Sequence, residues 1–248
     1  MREQITSVFV ALQFLTVCPP VLRRMFQPAE LGQAVGYFPL VGAALGWVLV
    51  ALAAGLGLVF PASVAGALLL AAWVIMTGSL HVDGFLDACD GLFGGFTPDD
   101  RLRIMRDERV GGFALSGGLL LFLVKYAGLA SLGANGPALF LAPVLGRWAM
   151  ATGIIIFPYA RDKGLGRDMK DHAGRAQLVL ATLTAVAAAW LAGAHLGLAA
   201  FGVAVAVTWA LARFTMQRIP GLTGDIYGAL CEIVEVCVLL TFVAGGSR

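Results

Sequence analysis

Residues 62–91 read ASVAGALLLAAWVIMTGSLHVDGFLDACDG. From Ala62 to Leu80 there is no charge, and a helix of that length, rising about 1.5 Å per residue, matches the roughly 30 Å hydrocarbon core of a bilayer. The next eleven residues then place three aspartates where the apolar run ends. A water-soluble core helix has no need of the first feature, and a lipid-facing helix cannot tolerate the second unless it has reached an aqueous boundary. Six more apolar stretches of spanning length lie at 36–59, 112–134, 137–159, 177–194, 197–216 and 226–244. The predicted fold is therefore all-α: a polytopic integral membrane helix bundle of about seven transmembrane helices plus an N-terminal interfacial helix, built as a single domain over 1–248.

Composition agrees. Of 248 residues 59% are apolar and 13% charged, the mean hydropathy is +0.86, and a soluble domain carries about 25% charged residues. A net charge of +2 is too small to argue for a nucleic-acid partner; the expected solvent is the lipid bilayer. Cys18, Cys89, Cys231 and Cys237 form no CxxC pair and have no histidine at zinc spacing, so they read as reduced, packed thiols. The apolar stretch Ile5–Val17 follows Arg2 but runs into Cys18-Pro19-Pro20 without a small-residue cleavage site, and reads as a retained interfacial helix rather than a signal peptide.

Very short gaps at 60–61, 135–136 and 195–196 predict tight helical hairpins on one side of the membrane. The connections 1–35, 81–111, 160–176 and 217–225 fall on the other, and together with the adjoining span ends they hold fourteen of the seventeen Lys and Arg. The positive-inside rule makes that side cytoplasmic. Arg248 falls opposite, and Lys125 and Arg147 fall within spans.

The chemistry gathers in the same half. If the second span continues as a helix, turning about 100° per residue, Asp83, Asp87 and Asp90 share a wedge of roughly 60°. No Lys or Arg lies between Arg24 and Arg101 to offset them. Unpaired carboxylates at this spacing repel, and a divalent cation relieves that; all-oxygen ligands select Mg²⁺, Mn²⁺ or Ca²⁺. A solvated, roleless helix end is the competing reading. Downstream, Arg101, Arg103, Arg106 and Arg109 offer guanidiniums for bidentate phosphate binding, with a membrane-surface anchor as the alternative. Asp225 and Glu232 share a face of the last span, with Glu235 one turn beyond. His81 is off the aspartate wedge and reads equally as a general base, a ligand or a polar cap. Lys125 and Arg147 must snorkel, pair with an acid such as Glu232 or Glu235, or contact a phosphate in a wet cavity. The basic, Gly-punctuated loop 159–170, with Arg161, reads as a charged surface loop or a cap over an anionic substrate. Gly84 and Gly91 read as room for a diphosphate beside the carboxylates.

The segment HVDGFLDACDG at 81–91 resembles the HxDGxxDxxDG signature of the cobalamin (5′-phosphate) synthase family, the adenosylcobinamide-GDP ribazoletransferases. Phe14-Leu15-Thr16, Phe38-Pro39-Leu40-Val41-Gly42, Arg101 to Asp107, Tyr159-Ala160-Arg161 with Gly164-Leu165-Gly166, and Thr223-Gly224-Asp225 with Glu232 resemble its other segments in order. Cys18-Pro19-Pro20 departs from the family, where a basic residue is expected near the first proline. The resemblance implies a late step of nucleotide-loop assembly in adenosylcobalamin synthesis. The ribose 3′-hydroxyl of α-ribazole, or of its 5′-phosphate, takes the corrinoid phosphate of adenosylcobinamide-GDP and GMP leaves. It further implies Mg²⁺ on Asp83, Asp87 and Asp90, with Asp225 and Glu232 completing a second metal site or orienting the nucleophile. His81 or one of the aspartates accepts the hydroxyl proton, and Arg106, Arg109, Lys125, Arg147 and Arg161 contact substrate. The location implied is the prokaryotic cytoplasmic membrane with the active site on the cytoplasmic side. Oligomeric state stays open. Two other functions compete: a CDP-alcohol phosphotransferase of lipid synthesis, whose signature has Ala-Arg where Asp87-Ala88 stands here, and a transporter, whose acids should line a path open to both sides.

Overall fold

A computed structural model describes residues 2–246, with the side chain of Arg2 and the C-terminal Arg248, counted above in the charge asymmetry, outside the described positions. The described residues form helices with no strands. In chain order these are α1 (Arg2–Leu15), α2 (Pro28–Ala34), α3 (Phe38–Gly57), α4 (Ala62–Met76), α5 (Leu80–Gly94), α6 (Pro98–Ile104), α7 (Gly112–Leu132), α8 (Gly136–Ile156), α9 (Leu165–His172), α10 (Arg175–Leu191), α11 (Ala194–Met216) and α12 (Gly224–Gly246). A 3₁₀ turn at Val35–Tyr37 joins α2 to α3.

Among the described residues, five helical segments are long and apolar enough to cross a membrane: α2–α3 together, α7, α8, α11 and α12. Two bent pairs, α4 with α5 and α9 with α10, bring the number to seven if each counts as one span. The chain is thus a multi-pass membrane protein. α1, too short to cross, buries Val10, Ala11 and Leu15 completely against the bundle. α8 is the central post, nearly all of its residues buried, and packs on α3, α10, α11 and α12. Trp47, Leu123 and Leu183 on outer helices are more than 60% exposed, as suits side chains whose solvent is lipid.

The span expected at 62–80 is corrected. α4 stops at Met76, and α5 leaves at 90° to it. Gly78 and Ser79 both take left-handed backbone (φ 58° and 60°), a conformation that no helix continues through. The freed carbonyls find partners: the Val17 amide donates to Met76 O at 2.9 Å, and the Thr77 hydroxyl to Val74 O at 3.1 Å. At 15 residues α4 is about 22 Å long, short of the hydrocarbon thickness on its own.

The long connections come together at one end of the bundle. Ala160 and Leu222 join two of them by backbone bonds, Ala160 N to Leu222 O and Leu222 N to Pro158 O, both 2.8 Å. Arg101 Nη1 donates to Arg218 O at 3.4 Å, linking the α5–α7 connection to the α11–α12 connection. The short turns at 58–61, 133–135 and 192–193 are the predicted hairpins.

Candidate active site

α5 carries the three aspartates on one side and buries Val82, Phe85, Ala88, Cys89 and Leu92 on the other. It crosses α12 where two glycines face each other. A Cβ on Gly84 would lie 3.1 Å from the Asp225 Cα, and one on Gly228 would lie 2.8 Å from the His81 carbonyl. This backbone-to-backbone approach sets Asp83 and Asp225 beside one another. It also corrects the expectation that Gly84 and Gly91 leave room for ligand. Gly84 is filled by α12, and Gly91 by Met105 and the Arg101 carbonyl.

Asp225 is held from two directions. Arg161 Nη2 donates to its Oδ2 at 2.7 Å, and the Thr223 hydroxyl to the same oxygen at 3.2 Å. Asp90 is committed elsewhere: its carboxylate, 8% exposed, accepts the Gly111 amide at 2.6 Å and the Ala114 amide at 2.8 Å. It therefore caps the α7 N-terminus from a different helix, satisfying orphan donors and meeting the positive end of the helix dipole. Asp83, exposed, and Asp87, half-buried, have no ion-pair partner among the described residues.

Two cavities meet here. The larger, about 360 Å³, is lined by Phe14, His81, Arg161, Lys163 and Tyr227 among others. The smaller, about 260 Å³, is lined by Asp83, Asp87, Asp90, Asp107, Glu108 and Arg109 with their neighbours. Asp83 and Arg106 belong to both walls. Arg106 has no acidic partner among the described residues, whereas Arg109 grips Asp107 with Nε–Oδ1 2.9 Å and Nη2–Oδ2 2.7 Å. Arg109 holds the Asp107 carboxyl down at about 2, well under the usual carboxylate range. In the loop before α9, burial pushes the Tyr159 hydroxyl above its ordinary value. His81 is 1% exposed, and its Nε2 has no hydrogen-bond partner among the described residues.

Three of the residues proposed from sequence lie elsewhere. Lys125 Nζ donates to Glu232 Oε2 at 2.7 Å and to Glu235 Oε2 at 2.6 Å, while Arg147 Nη1 pairs with Glu235 Oε1. All four side chains are at most 3% exposed, and none lines either cavity. The expectation that Lys125 and Arg147 touch substrate and that Glu232 binds metal is revised. Two cations and two anions make a neutral buried network that ties α7 and α8 to α12, with Lys125 also 4.3 Å above the Trp73 ring. Among the described residues no group of three His, Cys, Asp or Glu converges as a ready-made metal site.

Sequence reasoning passed over Tyr227 and Phe14 as site residues. Tyr227 is 3% exposed, its hydroxyl has no partner among the described residues, and its ring stacks on Tyr159 with centroids 6.1 Å apart. Its signal was weak, an aromatic three residues past a glycine in an apolar span.

The profile of the cobalamin-5-phosphate synthase family matches residues 7–243. Relatives named adenosylcobinamide-GDP ribazoletransferase include that of Desulforamulus reducens, 40% identical over 251 residues (97% of each chain). Those of Roseiflexus sp. (93% of this chain, 87% of the relative) and Pseudomonas fluorescens (94% and 96%) are also 40% identical. No solved structure matches. With the profile covering nearly the whole chain and the aspartate helix at the junction of two cavities, this protein belongs to the cobalamin-5-phosphate synthase family.

Proposed function

We infer that this chain transfers the corrinoid-bearing phosphate of adenosylcobinamide-GDP to the ribose 3′-hydroxyl of α-ribazole or its 5′-phosphate, releasing GMP. The observation that carries this reading is the shared wall. A carboxylate-and-guanidinium chamber and an aromatic, basic chamber share Asp83 and Arg106 as lining residues, which supports a phosphoryl donor and its acceptor held side by side. The excess of Lys and Arg in the connections around this junction supports a cytoplasmic active site in the cytoplasmic membrane.

Mg²⁺ fits the donor set. It is usually held by one or two carboxylates and completes its shell with water and substrate phosphates; Asp83 and Asp87, one turn apart and unpaired, are that minimal set. They would hold the ion, with Asp225 alongside, and the bound ion would neutralise charge on the diphosphate. Asp90, its oxygens engaged by α7, positions α7 against α5. Arg106 binds diphosphate oxygens from the junction, and Arg161 keeps the Asp225 carboxylate fixed. The acceptor oxygen forms a bond to the corrinoid-side phosphorus, the bond from that phosphorus to the GMP oxygen breaks, and the hydroxyl proton passes to one of the carboxylates that line the junction.

Purified protein in liposomes, given both substrates, is expected to release GMP, to lose at least about 100-fold in rate as Asp83→Asn, and to stop in EDTA and restart with Mg²⁺. No GMP from the wild type would end the transferase reading; full turnover in EDTA would end the metal assignment.

A further inference from the structure

On the side of α5 away from the aspartates lies a third hollow, of about 400 Å³, which shares no lining residue with the two cavities of the site. Phe85 and Cys89 of α5 and Ile233 of α12 line it between Leu120 and Val124 of α7 on one side and Leu211 of α11 on the other. Its wall carries no charged side chain, and Leu120 and Val124 are 64% and 39% exposed, so it is a groove open to the surface that lipid covers. It occupies residues 117–124 of α7 and 229–237 of α12, and so runs from the end of the bundle where the long connections gather toward the middle of the spans.

At that end Phe93 and Phe214 line the groove, with ring centroids 6.0 Å apart, and two guanidiniums rest on this mouth. Arg218 Cζ lies 3.6 Å from the centre of the Phe214 ring, and Arg218 Nη1 donates to the Phe214 carbonyl at 3.1 Å. Arg101 donates from Nε to the Leu92 carbonyl and from Nη1 to the Arg218 carbonyl, both at 3.4 Å. Both side chains are half-buried, and neither has an acidic partner among the described residues. A guanidinium offers five N–H donors, more than these carbonyls use. Arg213, exposed one residue before Phe214, likewise lacks an acid among the described residues.

The occupant that matches this arrangement has a long apolar body and an anionic head. Lipid tails are as apolar as the groove, so a chain lying in it gains packing contacts but no hydrophobic drive. Preference over bulk lipid must then come from the head. Basic pockets between transmembrane helices at the cytoplasmic side take anionic head groups, and a guanidinium binds phosphate through parallel N–H bonds.

We propose that one anionic phospholipid binds here, an acyl chain in the groove between α7 and α11 and its phosphate on Arg101 and Arg218, at the back of the helix that carries Asp83 and Asp87. This goes beyond the transferase reading and does not depend on it.

The test takes the full chain from vesicles of equal parts phosphatidylglycerol and phosphatidylcholine with identical acyl chains, and native mass spectrometry identifies the lipid retained. Wild type is expected to keep phosphatidylglycerol in preference by at least about fivefold, and Arg218→Gln to reduce the preference about fivefold, the worth of one arginine at an anionic head group. Arg218→Lys keeps the charge and is expected to keep the preference. Val124→Trp fills the groove and is expected to abolish retention. Equal retention of the two lipids by wild type means ordinary solvation by the bilayer and overturns the proposal, with no variant needed. A preference unchanged in Arg218→Gln, or lost equally in Arg218→Lys, overturns the role of the charge; retention unchanged in Val124→Trp takes the chain out of the groove. A mass of two chains without lipid, reduced to one by Val124→Trp, would assign the groove to a second copy and overturn the lipid site as well.

Discussion

Asp90 is engaged by the α7 amides while Asp83 and Asp87 have no ion-pair partner among the described residues, and its removal has a calculable effect. It accepts two backbone N–H bonds at 2.6 and 2.8 Å from the α7 start while 8% exposed. Hydrogen bonds to a charged group contribute about 1.5–3 kcal/mol each, and an anion at a helix N-terminus adds about 0.3–1 kcal/mol. Asp90→Ala forfeits both bonds, but the Gly111 end of α7 lies near water and regains part of the loss by hydration, leaving about 3 kcal/mol of destabilisation. Asp90→Asn keeps one acceptor oxygen and turns an amide N–H₂ toward the other donor, for a loss of about half that. At roughly 2–4 °C per kcal/mol for a chain of this size, Tm falls by about 6–12 °C for Ala and about 3–6 °C for Asn. Thermal unfolding in detergent followed by tryptophan fluorescence measures this, beside a Mg²⁺ titration of GMP release. The half-saturating Mg²⁺ concentration is expected to stay within about twofold of wild type. Asp90→Asn with an unchanged Tm and a Mg²⁺ requirement raised tenfold or more would refute the reasoning and make Asp90 a metal ligand.

Three further outcomes are expected. Lys125→Met strands Glu232 and Glu235 with one guanidinium and costs about 3–5 kcal/mol; adding Glu232→Gln recovers much of the lost Tm, whereas a stable Lys125→Met with weakened substrate binding would return Lys125 to the ligand site. Gly228→Ala places a Cβ 2.8 Å from the His81 carbonyl and forces α5 off α12, lowering kcat/KM about 100-fold, since a 1 Å misplacement can cost that much; circular dichroism should still report a folded bundle, and wild-type turnover would contradict the crossing argument. A topology reporter fused after Pro61 should read outside and one within 160–176 inside, and the opposite pattern would invert the orientation.

Much of this protein is legible in its residues. Spanning length, hairpin gaps and charge asymmetry are local or one-dimensional quantities, and lipid enforces them strictly because an unpaired backbone group in hydrocarbon is so costly. The 3- and 4-residue spacing of Asp83, Asp87 and Asp90 likewise reports a shared helix face without any knowledge of what the face meets. Partner identity is another matter. The same spacing could not say that Asp90 would cap α7, 21 residues ahead, while Asp83 stayed free, because that depends on where Gly111 lands. Nor could it choose among the three fates open to Lys125 and Arg147. Only the approach of α7, α8 and α12 decided that they neutralise Glu232 and Glu235, since the field of a buried charge is set by neighbours distant in sequence. The turn at Gly78-Ser79 belongs to the same class: a glycine in an apolar run is compatible with a straight span, and the contact of Val17 with Met76 turns it into a corner that lays the aspartate helix across α12.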